Sequence, residues 1–281
     1  MALICRNFRI YILLALFTLA GALPSSAQVS VSPISLYLGD HNKTGRLIVR
    51  NTSYQPVEVT VDLIFAYPAT DENGEIHLRT FETVPPGEPS ATEWIRVYPP
   101  RVVLPPQERQ VIRIAARPPA NLPDGEYWAR PVVSSRGVVL NSGAAGSHVS
   151  AQLNVVKRMF LALKYRHGKV STAAAIQYAE PRVAGDTLKL AVDINRMGNA
   201  AYLGYLDIQI LDRSGDVQKE LRKQIAVYHQ LHSLFPFYIG DLAPGSYTAR
   251  ITLDALSRHK EDAYVLKAPG VTETVGFVIP E

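Results

Sequence analysis

Several residues in this chain could carry catalysis or bind a metal, but their spacing does not assemble them. His229 and His232 are the only two histidines close to one another. On an extended segment, positions three apart face opposite sides, so this pair does not make a metal site. The one cysteine is Cys5, which leaves a structural zinc site without thiolate ligands. No Gly-x-Ser-x-Gly elbow presents a nucleophile. Asp71, Glu72 and Glu75 crowd a turn, without the alternating ligands and closing glutamate of a calcium loop. The Gly/Ala/Ser stretch at 141–147 lacks the Lys-Ser/Thr pair of a phosphate loop and reads as a flexible hairpin connection. Asn51-Thr52-Ser53 matches a glycosylation sequon and reads as a strand-end turn. Trp94 and Trp128 read as core or sheet-face residues. Together these readings predict no enzyme, no cofactor and no metal. A hydrolase assembled from residues distant in sequence is the least favoured alternative.

The pattern that does recur is alternation. Residues 93–135 alternate apolar and polar, break at Pro-Pro, and alternate again, which is the rhythm of short strands and turns. Strands are expected at 29–38, with Pro33 at an edge position, and at 46–50, 56–67, 76–83, 94–98, 102–104, 110–116 and 127–134. The longest candidate spans 149–166, where Leu153, Val155, Met159, Leu161, Leu163 and Tyr165 share one parity, interrupted by Lys157. Further strands are expected at 188–194, 202–211, 234–239, 246–253 and 272–279, and 217–227 is ambiguous. The fold class is therefore all-β, with two Ig-like β-sandwich domains in tandem: 28–167, then 168–281 after a break at His167-Gly168. Leu122-Pro123-Asp124-Gly125-Glu126-Tyr127 is echoed by Leu242-Ala243-Pro244-Gly245-Ser246-Tyr247. That matches a tyrosine corner, in which the hydroxyl ties the strand start to upstream backbone. Coincidence of common turn residues is the alternative.

The N-terminus speaks to compartment. Arg6 and Arg9 precede an apolar run at 10–23, and Ser25-Ser26-Ala27 supplies small residues for cleavage. The run is about 14 residues, short of the roughly 20 that span a bilayer. Residues 1–27 are thus expected to be a signal peptide, with export to the periplasm and no stable membrane insertion after cleavage. The remaining chain has no cysteine and must rely on hydrophobic cores. Removing Arg6 and Arg9 leaves 27 basic and 25 acidic residues, a net charge of +2, which argues against nucleic-acid binding.

The first domain resembles the periplasmic pilus-assembly chaperones, the PapD-like family. The matching pieces run in order: Val31-Ser32-Pro33, Leu47-Ile48-Val49-Arg50-Asn51, and the block at 94–130. That block holds Pro-Pro-Arg-Val-Val-Leu-Pro-Pro-Gln at 99–107, Gln110-Val111-Ile112-Arg113-Ile114 and the Leu122–Tyr127 turn. Leu163-Lys164-Tyr165-Arg166 is similar to that family's basic, aromatic strand end. In the second domain, Asp193 to Asn199, Tyr202-Leu203-Gly204 and Ala226-Val227-Tyr228 resemble a divergent branch of the same family.

The resemblance implies a chaperone that donates its last long strand to an incomplete pilin-like or other β-rich exported subunit. Backbone hydrogen bonds would supply affinity and alternating side chains would fill pockets. Leu153, Val155, Met159, Leu161, Leu163 and Tyr165 would be the donated residues. Substituting Leu161 or Leu163 with Glu is expected to abolish binding and leave the fold intact. An outer-membrane usher is left open as a further partner. The chain departs from the family where two basic cleft residues usually hold the subunit's terminal carboxylate, for it has Pro33 and Ala162 at those positions. Arg158, Lys164 and Arg166 are candidate replacements, and solvated edge charges are the other reading of the three. The alternative for the whole protein is a structural or adhesive Ig-like exported protein without a client.

Overall fold

The computed structural model describes residues 29–138, 155–256 and 264–281. The expected signal peptide, Cys5, the 141–147 loop and the first part of the long strand, including Leu153, lie outside these residues. The described chain is built of eighteen strands. The first sandwich pairs a sheet in the order β1-β3-β8-β6 with one in the order β2-β11-β9-β4-β5. Its strands are β1 (Val29–Ser32), β2 (Ser35–Gly39), β3 (Thr44–Asn51), β4 (Val57–Thr70), β5 (Ile76–Phe81), β6 (Ile95–Tyr98), β7 (Arg101–Leu104), β8 (Arg109–Ala116), β9 (Gly125–Gly137), β10 (Lys157–Phe160) and β11 (Ala162–His167).

Alternation explains the packing. In β3, Leu47 and Val49 are buried while Arg46, Ile48 and Arg50 are exposed, and β8 repeats this with Ile112 and Ile114 inward. Leu47, Val49, Val57, Val59, Ile112, Ile114, Val133 and Trp94 fill the first core. Each fully buried side chain of this kind contributes roughly 1.5–3 kcal/mol. The opening strand does not run through Pro33 as one edge strand. It breaks there, with β1 pairing β3 in one sheet and β2 running parallel to β11 in the other. Pro33 has no N–H for either ladder, so it sits at the handover.

The second sandwich joins β12 (Thr172–Ala184), β13 (Thr187–Gly198) and β16 (Gln230–Tyr238). Against them lie β15 (Val217–Val227), β14 (Tyr202–Leu211), β17 (Gly245–Ala255) and β18 (Val271–Ile279). The ambiguous stretch at 217–227 is thus a strand, and β12 is a strand that the alternation pattern did not mark. Both tyrosine corners form: the Tyr127 hydroxyl donates to the Pro123 carbonyl at 2.8 Å, and Tyr247 to that of Ala243 at 2.9 Å. Asn51 is buried at a strand-end turn. Its amide donates to the carbonyls of Gln55, Leu104 and Pro105, and its oxygen accepts from Ser53.

The two sandwiches meet at an aromatic cluster of Phe65, Tyr67, Trp128 and Tyr228. Two glycines make the approach possible. Gly168, after β11, has φ +58°, and a Cβ there would lie 1.8 Å from Asp124 Oδ1. Gly74, in the 71–74 turn, has φ +77°, and a Cβ there would lie 2.6 Å from the backbone nitrogen of Leu234 in the other sandwich. Only glycine adopts such a conformation without steric cost.

Candidate functional site

The residues expected to form the donated strand are divided by what lies beside them. β10 and β11 follow one another along the same side of β9: β10 pairs Val132–Ser135 and β11 pairs Gly125–Ala129. The far side of β11 is taken by β2, in parallel register from Ala162↔Ser35 to Arg166↔Gly39. The far side of β10 pairs with no strand among the described residues. Among the described residues, β11 is therefore paired on both sides and β10 on one.

Side chains follow the same division. Leu161, Leu163 and Tyr165 are 3% exposed or less and belong to the core of their own sandwich. In this structure these three expected donor residues fill their own core, so a glutamate at Leu161 or Leu163 would place an unpaired charge there instead of leaving the fold intact. Met159 is partly buried against that core. Ahead of it, Val155 is 49% and Val156 51% exposed, and Phe160 is 45% exposed on the outer face. Three apolar side chains therefore flank an unpaired backbone edge.

The three candidate carboxylate anchors do not converge. Arg158 is exposed on β10 in a surface depression with Val156, Glu58 and Arg136. Glu58 is itself ion-paired with Arg101 and Arg136. Lys164 and Arg166 lie roughly 20–26 Å further along the strand at 3.3 Å per residue, and both point at Glu126. Arg166 Nε donates to Glu126 Oε2 at 2.9 Å, and Lys164 Nζ stands 3.2 Å from Oε1. That Lys164 contact has ion-pair distance but not hydrogen-bond geometry. Lys164 is buried, so it is not a solvated edge charge. Both cations have Glu126 as their carboxylate partner in this structure.

This buried cluster was not legible from spacing. Glu126 also accepts from Trp128 Nε1 at 3.0 Å and from the Ala201 amide of the second sandwich at 3.3 Å. Burial pushes the Glu126 carboxyl up, but the Lys164 and Arg166 charges and these donors outweigh it and hold the group below its ordinary value. Burial likewise opposes the charge on Lys164. The Tyr228 ring, 5.0 Å from Nζ, and Glu126 offset it, leaving the ammonium raised above its usual value. The Glu126 backbone amide donates to the Asn199 carbonyl at 3.0 Å, and Asn199 Nδ2 donates to the Asp124 carbonyl at 3.1 Å. The cluster thus fixes one sandwich against the other.

The histidines join the same boundary. His229 Nε2 lies 3.0 Å from Glu88 Oε2 across the two sandwiches, and His232 pairs with Asp193 while its amide donates to Thr70 Oγ1 at 2.8 Å. Each has its own carboxylate partner.

No protein-family model matches the chain, and no curated protein matches it. Among solved structures, it is similar to the class 5 fimbriae chaperone CfaA. The two are 15% identical over 88% of this chain and 98% of that one, with a TM-score of 0.46. It is also similar to a chain in the complex of the Salmonella enterica SafA pilin with the SafB chaperone. That match is 12% identical over 90% and 99%, with a TM-score of 0.42. A third likeness is to a chain of the CsuC–CsuE chaperone–tip subunit pre-assembly complex of Acinetobacter baumannii, 13% identical over 78% and 93%, with a TM-score of 0.41.

Proposed function

We propose that this protein is a periplasmic, non-enzymatic chaperone that binds a pilin-like or other β-rich exported subunit by adding β10 and the residues just before it to the subunit's sheet. One observation carries this reading: among the described residues, β10 bonds β9 on one side and no strand on the other, beside exposed Val155, Val156 and Phe160. Folded proteins usually cover or shorten such an edge, because it templates pairing with another chain. Strand addition uses that property, with main-chain bonds for affinity and alternate side chains for selection. The following strand, β11, is paired with β2 as well as β9, which anchors the chain directly after β10. An outer-membrane usher would be a further partner. The buried Lys164–Glu126–Arg166 cluster sets the angle between the sandwiches in this reading, and Arg158 is the one basic residue left exposed on the open edge.

A second reading has its own observation. Lys157 and Arg158 lie on β10, and charges on an edge strand can serve to prevent pairing. That would suit a structural or adhesive Ig-like protein with no client. Affinity isolation of the tagged chain from its native periplasm, with mass spectrometry of what accompanies it, decides between the two. The chaperone reading expects a small β-rich exported subunit that is lost in a Val155→Glu/Phe160→Glu variant of unchanged fold. Isolation of the chain alone, or retention of the same subunit by the variant, would overturn it.

A further inference from the structure

The other sheet of the N-terminal sandwich carries a surface that the open edge does not use. Its buried residues alternate with exposed ones, so β1, β3, β8 and β6 share one outer face, turned away from the sheet that holds β10. Register arranges that face in rows. Arg50 stands opposite Arg109, Ile48 opposite Val111, and Arg46 opposite Arg113, with Tyr98 continuing the last row. All of these side chains are exposed. No acidic residue and no lysine occupies the outward positions of these rows. Among the described residues, none of these four arginines belongs to an ion pair, the paired arginines lying elsewhere.

Like charges directly opposite one another on an antiparallel pair are destabilising. Here two such pairs sit on one face. Arg46 and Arg50 are four residues apart, so the two guanidinium pairs are separated by about 13 Å along the strands. Ile48 and Val111 lie midway between them, and Tyr98 closes one end. The arrangement presents two concentrated positive sites with an apolar strip between.

The geometry points to this face as the docking surface for an acidic, extended segment of a partner protein, with carboxylates four residues apart and an apolar side chain midway. In an extended segment, residues i, i+2 and i+4 share a face at this spacing. The guanidinium fork suits a carboxylate in a way an ammonium does not. Arginine and tyrosine are also enriched at protein interfaces where lysine is depleted. A lipid surface fits less well. Ile48 and Val111 are only half exposed between longer arginine side chains, and the protruding Tyr98 ring stands alone at one end, so no contiguous apolar face is presented to an acyl region. Because this sheet is remote from β10, such a partner could bind while a subunit occupies the open edge.

The test is fluorescence anisotropy of the full chain with a labelled Thr-Glu-Thr-Val-Thr-Glu-Thr peptide, against controls with Gln in place of Glu and with the two Glu residues adjacent. The Glu peptide should bind at least about tenfold more tightly than either control, as charge-assisted pairs at matched spacing require. Binding should weaken as salt rises and fall by at least about tenfold in the Arg46→Gln/Arg113→Gln variant. That variant loses a like-charge pair, so its unfolding midpoint should not drop. Absence of binding, equal binding of all peptides, or unchanged binding by the variant would overturn the assignment. So would binding to phosphatidylglycerol vesicles, lost in the variant, when the peptide does not bind.

Discussion

At the scale of single residues, Glu126 has the largest stake. Its carboxylate is buried between Lys164 and Arg166 and accepts from both sandwiches. A buried ion pair adds little over well-packed apolar residues, but removing one partner leaves an uncompensated charge and costs about 3–5 kcal/mol. Glu126→Ala should therefore destabilise by about that amount in urea unfolding. Glu126→Leu combined with Lys164→Met should cost much less than the single changes predict, a coupling that a double-mutant cycle reads directly. Asp40 gives a pH signature. The hydrogen bond from His167, with those from the Gly168 amide and the Tyr165 hydroxyl, lowers its carboxyl from 3.8 to about 2. A depressed carboxylate adds stability that is complete above its unfolded value and is lost as pH falls from about 4 toward 2. Asp40→Asn should remove about 1 kcal/mol at neutral pH, after discounting for the group's exposure, and flatten that acid limb. Equal acid limbs in the two proteins would contradict the assignment.

At the scale of elements, alternation showed which residues of the long strand share a face, but not which core that face enters. Leu161, Leu163 and Tyr165 have the same parity as Val155 and Met159, yet β2 runs beside 162–166 only, where Leu163 and Tyr165 lie, with Leu161 directly before them. That closure depends on residues 35–39 returning beside 162–166, a pairing between distant segments that one strand's pattern does not reveal. Leu161→Glu should therefore unfold the N-terminal sandwich, seen as loss of the cooperative thermal transition. Val155→Glu should leave that transition within a few degrees of wild type, since surface changes usually stay within about 0.5 kcal/mol. β12 went unmarked, and β15 stayed ambiguous, for a related reason. β15 reads Val-Gln-Lys-Glu-Leu-Arg-Lys, with few apolar residues to alternate, and bonds only β14. β12 is alanine-rich and carries Pro181. Edge strands bury little on either face, so pairing rather than composition makes them strands. The tyrosine corners were legible because a turn glycine two residues before a tyrosine is a local signal.

At the scale of the whole molecule, the two-sandwich architecture could be read from strand spacing, whereas the boundary between the sandwiches could not. Tyr67, Trp128 and Tyr228 come from β4, from β9 and from the turn after β15, and Tyr228 stacks on Tyr67 and meets Trp128 edge-on only once both domains have folded. His229 and His232 looked like a failed metal pair. They bind Glu88 and Asp193, which a single linear segment could not disclose. Among the described residues, the N-terminal sandwich thus carries the unpaired side of β10 on one sheet and an arginine face on the other.

The central claim is that this open edge is where a subunit binds. The most direct test places a photoreactive benzoylphenylalanine at Phe160 in the native host, with exposed Tyr54 as the control position. The account predicts a crosslink from position 160 to one exported β-rich subunit and none from position 54. No adduct at 160, or the same adduct from both positions, would contradict it.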